Sequence, residues 1–405
     1  MKYIFLLLCS FSFVCASIDI ANLTCQGFAY IKQDDFERAL PYYAQAVVHD
    51  PKNVHANYNI AYILLQLSLC DQAVHWYKKA LECDPKHENA LFGCAKALLT
   101  LGHYEKGLHF FEWRYGSVER IHKKYKLFEL TPRSFEDKEV VLLSEWGMGD
   151  NIQCLRYVHD VKKAGAKKIV VQTHSSLQKL FSLCPYIDQV ITMQDPIYSG
   201  AVCVPMFSLP RIFKTSVETI PNPMPYLFSD PTLDRHWHEQ LKNDTNFKVG
   251  ICWYSNKSNL QQNKYVQRCI PLEVFEPLTR IAGVSVYSLQ KGDGQELLNK
   301  YDAHCPFKVI EGLDVDHGPF MDTVSVMKEM DLIISADTSI VHVAGAMYLP
   351  VWTLLPYSAD WRWLQNRSDS PWYPSMRLFR QKEPNNWIQL MDEVVDCLKD
   401  MLLSN

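Results

Sequence analysis

The N-terminal part of the chain repeats one pattern of small and aromatic positions at a spacing of 34 residues. The recurring positions are Gly27, Ala39, Tyr43, Ala46 and Pro51, which return as Ala61, Ala73, Tyr77, Ala80 and Pro85. Small residues let two helices approach closely, the aromatic ring fills the groove between them, and the proline begins the next unit. The pattern predicts helical hairpins over residues 18–116, with a third unit that decays where Arg114 replaces the expected alanine.

The pattern changes after residues 117–137, a charged segment with a proline that is predicted to be a linker. From residue 138 onward, short apolar runs alternate with helical patterns, which indicates parallel sheets covered by helices. Prolines between Pro221 and Pro231 divide this series into two lobes, 138–232 and 245–405. The predicted strands are residues 140–143, 168–172, 189–193, 201–205, 249–253, 284–289, 332–335 and 351–355, and a helix is predicted over 152–164. The predicted fold is α/β, with two doubly wound Rossmann-like lobes after an all-helical segment.

The two ends of the chain carry apolar patterns of different kinds. Residues 1–17 combine a lysine, an apolar run and small residues, as in a secretory signal, although an apolar helix docked on the first repeat fits them as well. That run is too short for a membrane span, and no later segment is apolar enough for one. From Trp387 to Leu403 the apolar residues fall on one helical face, which predicts a helix packed along a lobe.

Composition narrows the function classes. The 405 residues are 48% hydrophobic and 21% charged, as in a globular protein. The net charge of −4 argues against nucleic acid as a main partner, because phosphate binding usually needs a basic excess. The 13 cysteines are scattered, without a closely spaced pair, so they indicate neither a disulfide framework nor a zinc site.

Three predicted turns lie where ligands bind in open parallel sheets, beyond the carboxyl ends of strands. In the first turn, residues 144–150, Gly147 and Gly149 allow the backbone to approach a ligand closely. Asp150 is either a catalytic base or a helix cap. In the third turn, residues 288–292, Lys291 either neutralises a phosphate or lies in solvent.

The second turn, residues 335–342, leads from a strand into a helix. Unpaired backbone N–H groups at a helix start bind phosphate, and Thr338 and Ser339 add hydroxyl donors. A simply capped helix is the alternative interpretation. His342, one turn into this helix, is either a ligand contact or a packing residue.

The 34-residue unit resembles the tetratricopeptide repeat, and the whole chain resembles bacterial tetratricopeptide-repeat glycosyltransferases. The catalytic part of those enzymes is related to the heptosyltransferases of lipopolysaccharide assembly. The resemblance covers residues 138–390 and depends on the order and spacing of its motifs. These are Trp146-Gly147-Met148-Gly149-Asp150-Asn151-Ile152-Gln153, Arg156-Tyr157, Val249-Gly250-Ile251-Cys252-Trp253, Ile270-Pro271-Leu272, Ser288-Leu289-Gln290-Lys291-Gly292, Ser335-Ala336-Asp337-Thr338, His342-Val343-Ala344-Gly345-Ala346, Trp361-Arg362-Trp363, Asp369-Ser370-Pro371-Trp372-Tyr373-Pro374 and Arg377-Leu378-Phe379-Arg380-Gln381.

The resemblance implies the two-lobed GT-B fold, with the active site between the lobes, a nucleotide-sugar co-substrate and no metal. It implies that Asp150 is the base. It implies that the donor contacts Gly147, Gly149, Arg268, Gln290, Lys291, Ser335, Asp337, Thr338, Ser339 and His342. The expected reaction is an inverting, metal-independent transfer of a hexosyl or heptosyl group to a glycan or protein acceptor, which the repeats would help to hold.

Some features depart from this family or leave alternatives open. Ser339 stands where the lipopolysaccharide enzymes have glycine, and the short N-terminal lobe leaves the acceptor site either reduced or completed by the repeats. An inactive scaffold that binds proteins through its repeats fits the pattern too, as does a nucleotide-sugar epimerase or hydrolase. Asp314 and Asp316 form an Asp-x-Asp like that of metal-dependent glycosyltransferases, but the surrounding strands favour the metal-free fold. The family resemblance indicates the cytoplasm, whereas the signal-like N-terminus indicates secretion.

Overall fold

A computed structural model describes residues 19–114, 127–197, 199–255 and 266–404. The predicted signal over residues 1–17 and the first part of the predicted linker lie outside these described residues. The chain forms two compact units. The first holds the helical repeats together with Ser358–Gln365, a segment that we call the insert, and the second holds two parallel sheets.

Antiparallel helical hairpins build the first unit, as the repeat pattern predicts. The helices are α1 (Ile20–Ile31), α2 (Phe36–His49), α3 (Val54–Gln66), α4 (Cys70–Cys83), α5 (Glu88–Thr100) and α6 (Tyr104–Phe111). The Asp19 side chain caps α1 and the Asn53 side chain caps α3, each by accepting hydrogen bonds from backbone N–H groups of the first turn. A Cβ at Gly27 would lie 2.7 Å from the Tyr43 ring, so the small residue and the aromatic ring are complementary.

The insert completes the first unit although it comes from the far end of the chain. Its Trp361 is 4% exposed, and the indole centroid lies 6.2 Å from the Tyr104 ring and 5.5 Å from the Phe111 ring. The Gln365 amide donates to the Ser68 carbonyl at 2.8 Å. The predicted C-terminal lobe, 245–405, includes this segment. In the structure the insert belongs to the compact unit of the repeats, where its Trp361 packs on the last hairpin.

Two parallel sheets form the core of the second unit. Their strands are β1 (Glu139–Leu143), β2 (Lys168–Thr173), β3 (Gln189–Thr192), β4 (Val202–Pro205), β5 (Phe247–Cys252), β6 (Val284–Ser288), β7 (Lys308–Val309), β8 (Leu332–Ala336), β9 (Val351–Leu355) and β10 (Met376–Arg380). The orders are β3-β2-β1-β4 and β10-β9-β8-β5-β6-β7. Read from β7, the second order is the 3-2-1-4-5-6 arrangement of dinucleotide-binding folds, and the first sheet contains its first four strands. The predicted pair of doubly wound lobes behind an all-helical segment is therefore confirmed.

Helices cover these sheets, and one predicted helix is divided in two. They are α7 (Met148–Leu155), α8 (Val158–Lys163), α9 (Ser175–Ser182), α10 (Leu209–Ile212), α11 (Pro231–Leu241), α12 (Glu276–Thr279), α13 (Met321–Lys328), α14 (Ser339–Ala346) and α15 (Trp387–Ser404). The helix predicted over 152–164 is wrong as a single element. It breaks at Arg156, whose Nε donates to the Gln153 carbonyl at 2.9 Å and so competes with the backbone for that acceptor.

Segments outside the sheets also pack tightly. The apolar face of α15 lies in the core of the second sheet, as predicted, with Trp387, Met391 and Leu398 all buried. Phe135, in the second half of the predicted linker, is fully buried, and its ring lies 6.0 Å from that of Phe213. Within the described residues, the helices are all too short or too polar to cross a membrane.

Candidate functional site

Each sheet has one point where the strand order reverses, between β1 and β4 in the first sheet and between β5 and β8 in the second. Ligands of open α/β sheets bind at such points, outside the carboxyl ends of the strands. The turn over residues 144–150 follows β1, and the turn over residues 337–338 follows β8. Two of the predicted site segments therefore lie at the places that this topology favours for binding.

The first turn begins α7 and is held by Asp150. The Gly147 N–H donates to Asp150 Oδ2 at 2.9 Å, which caps the helix. Asn151 donates to the carbonyls of Glu145 and Gly147, at 3.1 and 2.8 Å, and closes the turn further. The capping interpretation of Asp150 is thus confirmed, while its role as a base stays a prediction.

Two residues of this turn, Glu145 and Trp146, were not among the predicted site residues. Glu145 is buried, and its carboxylate accepts the Phe207 N–H at 2.8 Å, which joins the loops after β1 and β4. Trp146 has a φ of +52° and is 44% exposed. A left-handed conformation costs a non-glycine residue about 1 kcal/mol or more and persists only when its surroundings enforce it. Here the His174 ring binds the Trp146 carbonyl at 2.7 Å, and the indole centroid lies 5.0 Å from the Phe207 ring.

The second turn places an unusual carboxylate beside the start of α14. Asp337 is 1% exposed, and neither carboxylate oxygen has a hydrogen-bond partner among the described residues. Arg268 Nη1 lies 3.6 Å from one Asp337 oxygen, and His342 Nε2 lies 4.0 Å from the other. A buried carboxylate without hydrogen bonds is costly, so its oxygens are acceptors available to a bound ligand.

The hydroxyl residues of this turn serve its local structure. Thr338 is the N-cap of α14 and accepts the Ile340 N–H at 3.3 Å, which confirms the capping alternative without testing the predicted phosphate contact. Ser335 is buried and donates to the Ala336 carbonyl at 2.8 Å. Ser339, the first residue of the helix, is partly exposed.

His342 brings the two turns together. A Cβ at Gly149 would lie 2.5 Å from His342 Cδ2, so only glycine permits this close approach of α7 and α14. The imidazole Nδ1 lies 2.9 Å from the Tyr373 hydroxyl. Asp150 in the first lobe therefore directly follows Gly149, which packs on His342 of the second lobe.

Arg156 lies buried behind this contact and links several segments. Its Nη1 donates to the carbonyls of Pro221 and Trp372, at 3.2 and 2.6 Å. Its guanidinium lies 5.1 Å from the Tyr226 centroid and 4.8 Å from the Tyr373 centroid. Carbonyls and aromatic faces together offset the cost of burying the charge. The sequence marked Arg156 as part of a motif but gave no signal for its partners.

Gln290 and Lys291, predicted donor contacts in the loop after β6, have different surroundings. Gln290 is buried, and its Oε1 accepts the N–H groups of Trp253 and Tyr254 at 3.1 and 2.9 Å. Its Nε2 donates to the Tyr254 and Asp293 carbonyls at 3.0 and 2.8 Å. The amide therefore ties the loops after β5 and β6 together through its own polar atoms. Lys291 is exposed.

Asp314, the first aspartate of the Asp-x-Asp segment, holds the start of α13 through hydrogen bonds. One Asp314 oxygen accepts the Asp322 and Thr323 N–H groups at 2.8 and 3.0 Å, and the other accepts the Thr323 hydroxyl at 2.5 Å. Burial raises the pKa of Asp314. Among the described residues, no group of three or more His, Cys, Asp or Glu side chains is placed to hold a metal ion.

Comparison with known proteins bears on both units. The family model of the tetratricopeptide repeat matches residues 26–88. Residues 26–88 are tetratricopeptide repeats. Protein FlbA of Caulobacter vibrioides is 25% identical over 294 residues, which cover 66% of this chain and 47% of FlbA. The chain thus spans about half the length of this curated relative.

Solved structures of two glycosyltransferases overlap with most of the chain. A glycosyl transferase of family 9 from Veillonella parvula is 12% identical, with a TM-score of 0.48, and the overlap covers 68% of this chain and 99% of that one. The ADP-heptose lipopolysaccharide heptosyltransferase II of Escherichia coli is 14% identical, with a TM-score of 0.43, over 66% of this chain and 99% of the other.

Proposed function

We propose that this protein is a glycosyltransferase that moves a sugar from a nucleotide-sugar donor to a glycan or protein acceptor. The observation that carries the proposal is the meeting of two strand-end turns, where Gly149 packs on His342. Each turn lies at the switch point of its own parallel sheet, the position where such sheets bind nucleotides. One turn brings a carboxylate, Asp150, and the other brings a helix start with the guanidinium of Arg268 close by.

The charges fit a transfer in which a diphosphate leaves. The α14 N-terminus offers partial positive charge, and Arg268 lies 3.6 Å from Asp337. Because Arg268 offsets the Asp337 carboxylate, the turn can face an anion without a net negative charge. His342 places a ring nitrogen, Nε2, at the same position, 4.0 Å from Asp337 Oδ1. In this proposal these groups replace a metal in holding the charge of the leaving diphosphate.

The reaction proposed is inverting. Asp150 takes the proton from an acceptor hydroxyl, whose oxygen forms a bond to the anomeric carbon of the donor sugar. The bond from that carbon to the diphosphate breaks, and its electron pair leaves with the nucleoside diphosphate. The same residue both caps α7 and acts as base, since the cap hydrogen bond fixes the position of the carboxylate. Whether the sugar is hexosyl or heptosyl follows from the donor that binds.

The experiment starts with a thermal-shift screen of UDP-, GDP- and ADP-sugars, followed by a transfer assay with glycan and protein acceptors. Asp150→Asn is the decisive variant, because the asparagine carbonyl oxygen can still accept the Gly147 N–H but the amide is not a base. We expect transfer to fall by about 10²- to 10⁴-fold, with donor affinity within a few-fold of the wild type.

Asp230→Asn is the matched control. Asp230 caps α11 by accepting the Thr232 N–H at 2.7 Å, and it lies outside the two candidate turns. This variant should transfer sugar at the wild-type rate. A wild-type rate in Asp150→Asn would remove Asp150 from catalysis, and the lack of binding by every nucleotide sugar would overturn the proposed function. Donor consumption without transfer would instead support an epimerase or hydrolase.

A further inference from the structure

Trp146, in the turn after β1, has two features that folding alone does not favour. Its φ of +52° is in the left-handed region, and its indole is 44% exposed. Tyr348 also has a positive φ, of +63°, but it directly follows α14, and a left-handed residue commonly ends a helix. Trp146 lies before a helix instead, so helix termination does not account for its backbone.

One peptide group holds the backbone of Trp146 in this conformation. Its oxygen, the Trp146 carbonyl, lies 2.7 Å from His174 Nε2. Its N–H, that of Gly147, donates to Asp150 Oδ2 at 2.9 Å. Because a peptide group is planar, the two hydrogen bonds together set the direction of the chain from Trp146 to Gly147. The half-exposed indole and the proposed base therefore belong to one fixed turn.

The half-buried His174 has a second polar atom at this turn. A carbonyl oxygen only accepts, so the Nε2 that faces Trp146 carries the proton, and in the neutral ring Nδ1 is an acceptor. His174 is the N-cap of α9, but its side chain makes no capping hydrogen bond. By contrast, His87 caps α5 through Nδ1, which accepts the Ala90 N–H at 3.1 Å. Within the described residues, His174 Nδ1 has no hydrogen-bond partner.

We propose that Trp146 and His174 form a subsite for a sugar ring of the acceptor. The C–H face of a sugar is apolar and stacks on an exposed indole, while a ring nitrogen beside it accepts a hydrogen bond from a hydroxyl. Phe207 packs on the indole at 5.0 Å, so the ring is held in place before a ligand binds. This inference rests on the proposed glycosyltransferase function and commits the acceptor to a glycan.

The topology around the subsite favours a sugar over a peptide. Proteins commonly bind extended peptides along a free sheet edge. The strands that lead into Trp146 and His174 are β1 and β2, and each is paired on both sides, β1 with β2 and β4, and β2 with β1 and β3. Neither strand offers a free edge to a peptide. An indole with one hydrogen-bonding atom beside it instead matches a single sugar unit.

Trp146→Gly tests the subsite, because glycine accepts a positive φ and removes only the ring. In transfer assays with glycan acceptors, KM for the acceptor should rise about ten- to a hundred-fold, while donor affinity in calorimetry stays within about two-fold of the wild type. Trp146→Tyr keeps an aromatic face and should recover most of the acceptor affinity. An unchanged acceptor KM in Trp146→Gly, or an equal loss of donor affinity, would overturn the proposal.

Tyr348→Gly is the matched control, because Tyr348 is an exposed aromatic residue at a positive φ as well. It precedes β9, at the amino-terminal edge of its sheet, whereas ligands bind at the carboxyl-terminal edge. This variant should keep the wild-type KM for the acceptor.

His174→Gln separates the two roles of the histidine and serves as the test if Trp146→Gly does not fold. The glutamine amide can still donate to the Trp146 carbonyl, but it has no acceptor in the place of Nδ1. We expect the acceptor KM to rise about three- to ten-fold, as for one lost hydrogen bond. A wild-type KM would show that His174 only holds the turn, contrary to the proposal.

A measurement without donor separates this inference from the proposed function. The probes are the methyl glycosides of glucose, galactose, mannose and N-acetylglucosamine, followed by saturation-transfer difference NMR. At least one should give signals from its ring C–H protons with the wild type and Tyr348→Gly, and these should disappear in Trp146→Gly. Signals that persist there, lack of binding by all four glycosides, or transfer to peptides alone would overturn the subsite. If no nucleotide sugar binds but the glycoside signals depend on Trp146, the proposed function fails and the subsite stands.

Discussion

Replacement of Trp361 by alanine should destabilise the helical repeats, although this residue is far from them in the sequence. The indole is almost fully buried, and it packs edge-on against both Tyr104 and Phe111. A buried Trp→Ala substitution costs about 3–5 kcal/mol, because it loses apolar contact and leaves a cavity. For a unit of roughly 100 residues, each kcal/mol shifts the melting temperature by about 4–8 °C. The expected shift for the repeats is therefore at least about 12 °C.

Hydrogen exchange followed by mass spectrometry measures this effect where it arises. In Trp361→Ala, the amides of α6 should exchange much faster than in the wild type, and those of α5 should follow, because the insert packs on α5 as well. Peptides from β8 and β9, at the centre of the second sheet, should keep their protection.

Ser358→Ala provides the control from the same insert. Ser358 donates one hydrogen bond to the Leu65 carbonyl at 3.2 Å, and its loss should cost about 1 kcal/mol. Its exchange pattern should stay close to the wild type. Wild-type protection of α6 in Trp361→Ala would refute the reasoning, because it would show that the last hairpin is stable without the indole.

Three further predictions concern the site and the charges around it. Thr338→Val should weaken nucleotide-sugar binding by about ten- to a hundred-fold in calorimetry and leave nucleoside binding unchanged. If the variant binds both ligands as tightly as the wild type, Thr338 only caps the helix. Activity should survive EDTA, because Asp314 is engaged in hydrogen bonds, and loss with EDTA that manganese restores would contradict this. Burial would raise the pKa of Asp244, but hydrogen bonds from Lys308 and Tyr287 outweigh it and hold that pKa well below its usual range. This stabilisation is complete above an unfolded pKa of about 4 and is lost as the pH falls below it, so the stability gap between wild type and Asp244→Asn should shrink in acid unfolding measurements below about pH 4.

Local pattern was enough to predict much of the fold. Gly27 and Tyr43 contact each other as the repeat pattern predicts, because both belong to the same helical hairpin. The continuous apolar runs marked the central strands of both sheets, since a strand buried on both faces has no polar alternation. The glycine turn before Asp150 was recognisable because a strand ends and a helix begins within a few residues.

The remainder depends on contacts between distant parts of the chain. Tyr373 and His342 come from separate segments, and their motifs carry no sign of the hydrogen bond between the Tyr373 hydroxyl and His342 Nδ1. The break of the predicted helix at Arg156 depends on a side chain that serves the tertiary structure. The family resemblance implies that Gln290 contacts the donor, and the sequence carries no sign that its amide also ties the loops after β5 and β6 together.

The insert has a consequence for how the chain folds during synthesis. The last repeat hairpin ends at Phe111, but the indole that covers it belongs to Trp361, which leaves the ribosome 250 residues later. At roughly 5–20 residues per second, that interval is on the order of 10–50 s. During this time the indole does not yet cover the aromatic side chains of α6, which are open to chaperones or to other nascent chains. The repeats are therefore made before the two lobes, but they reach their final packing only after the insert has been made.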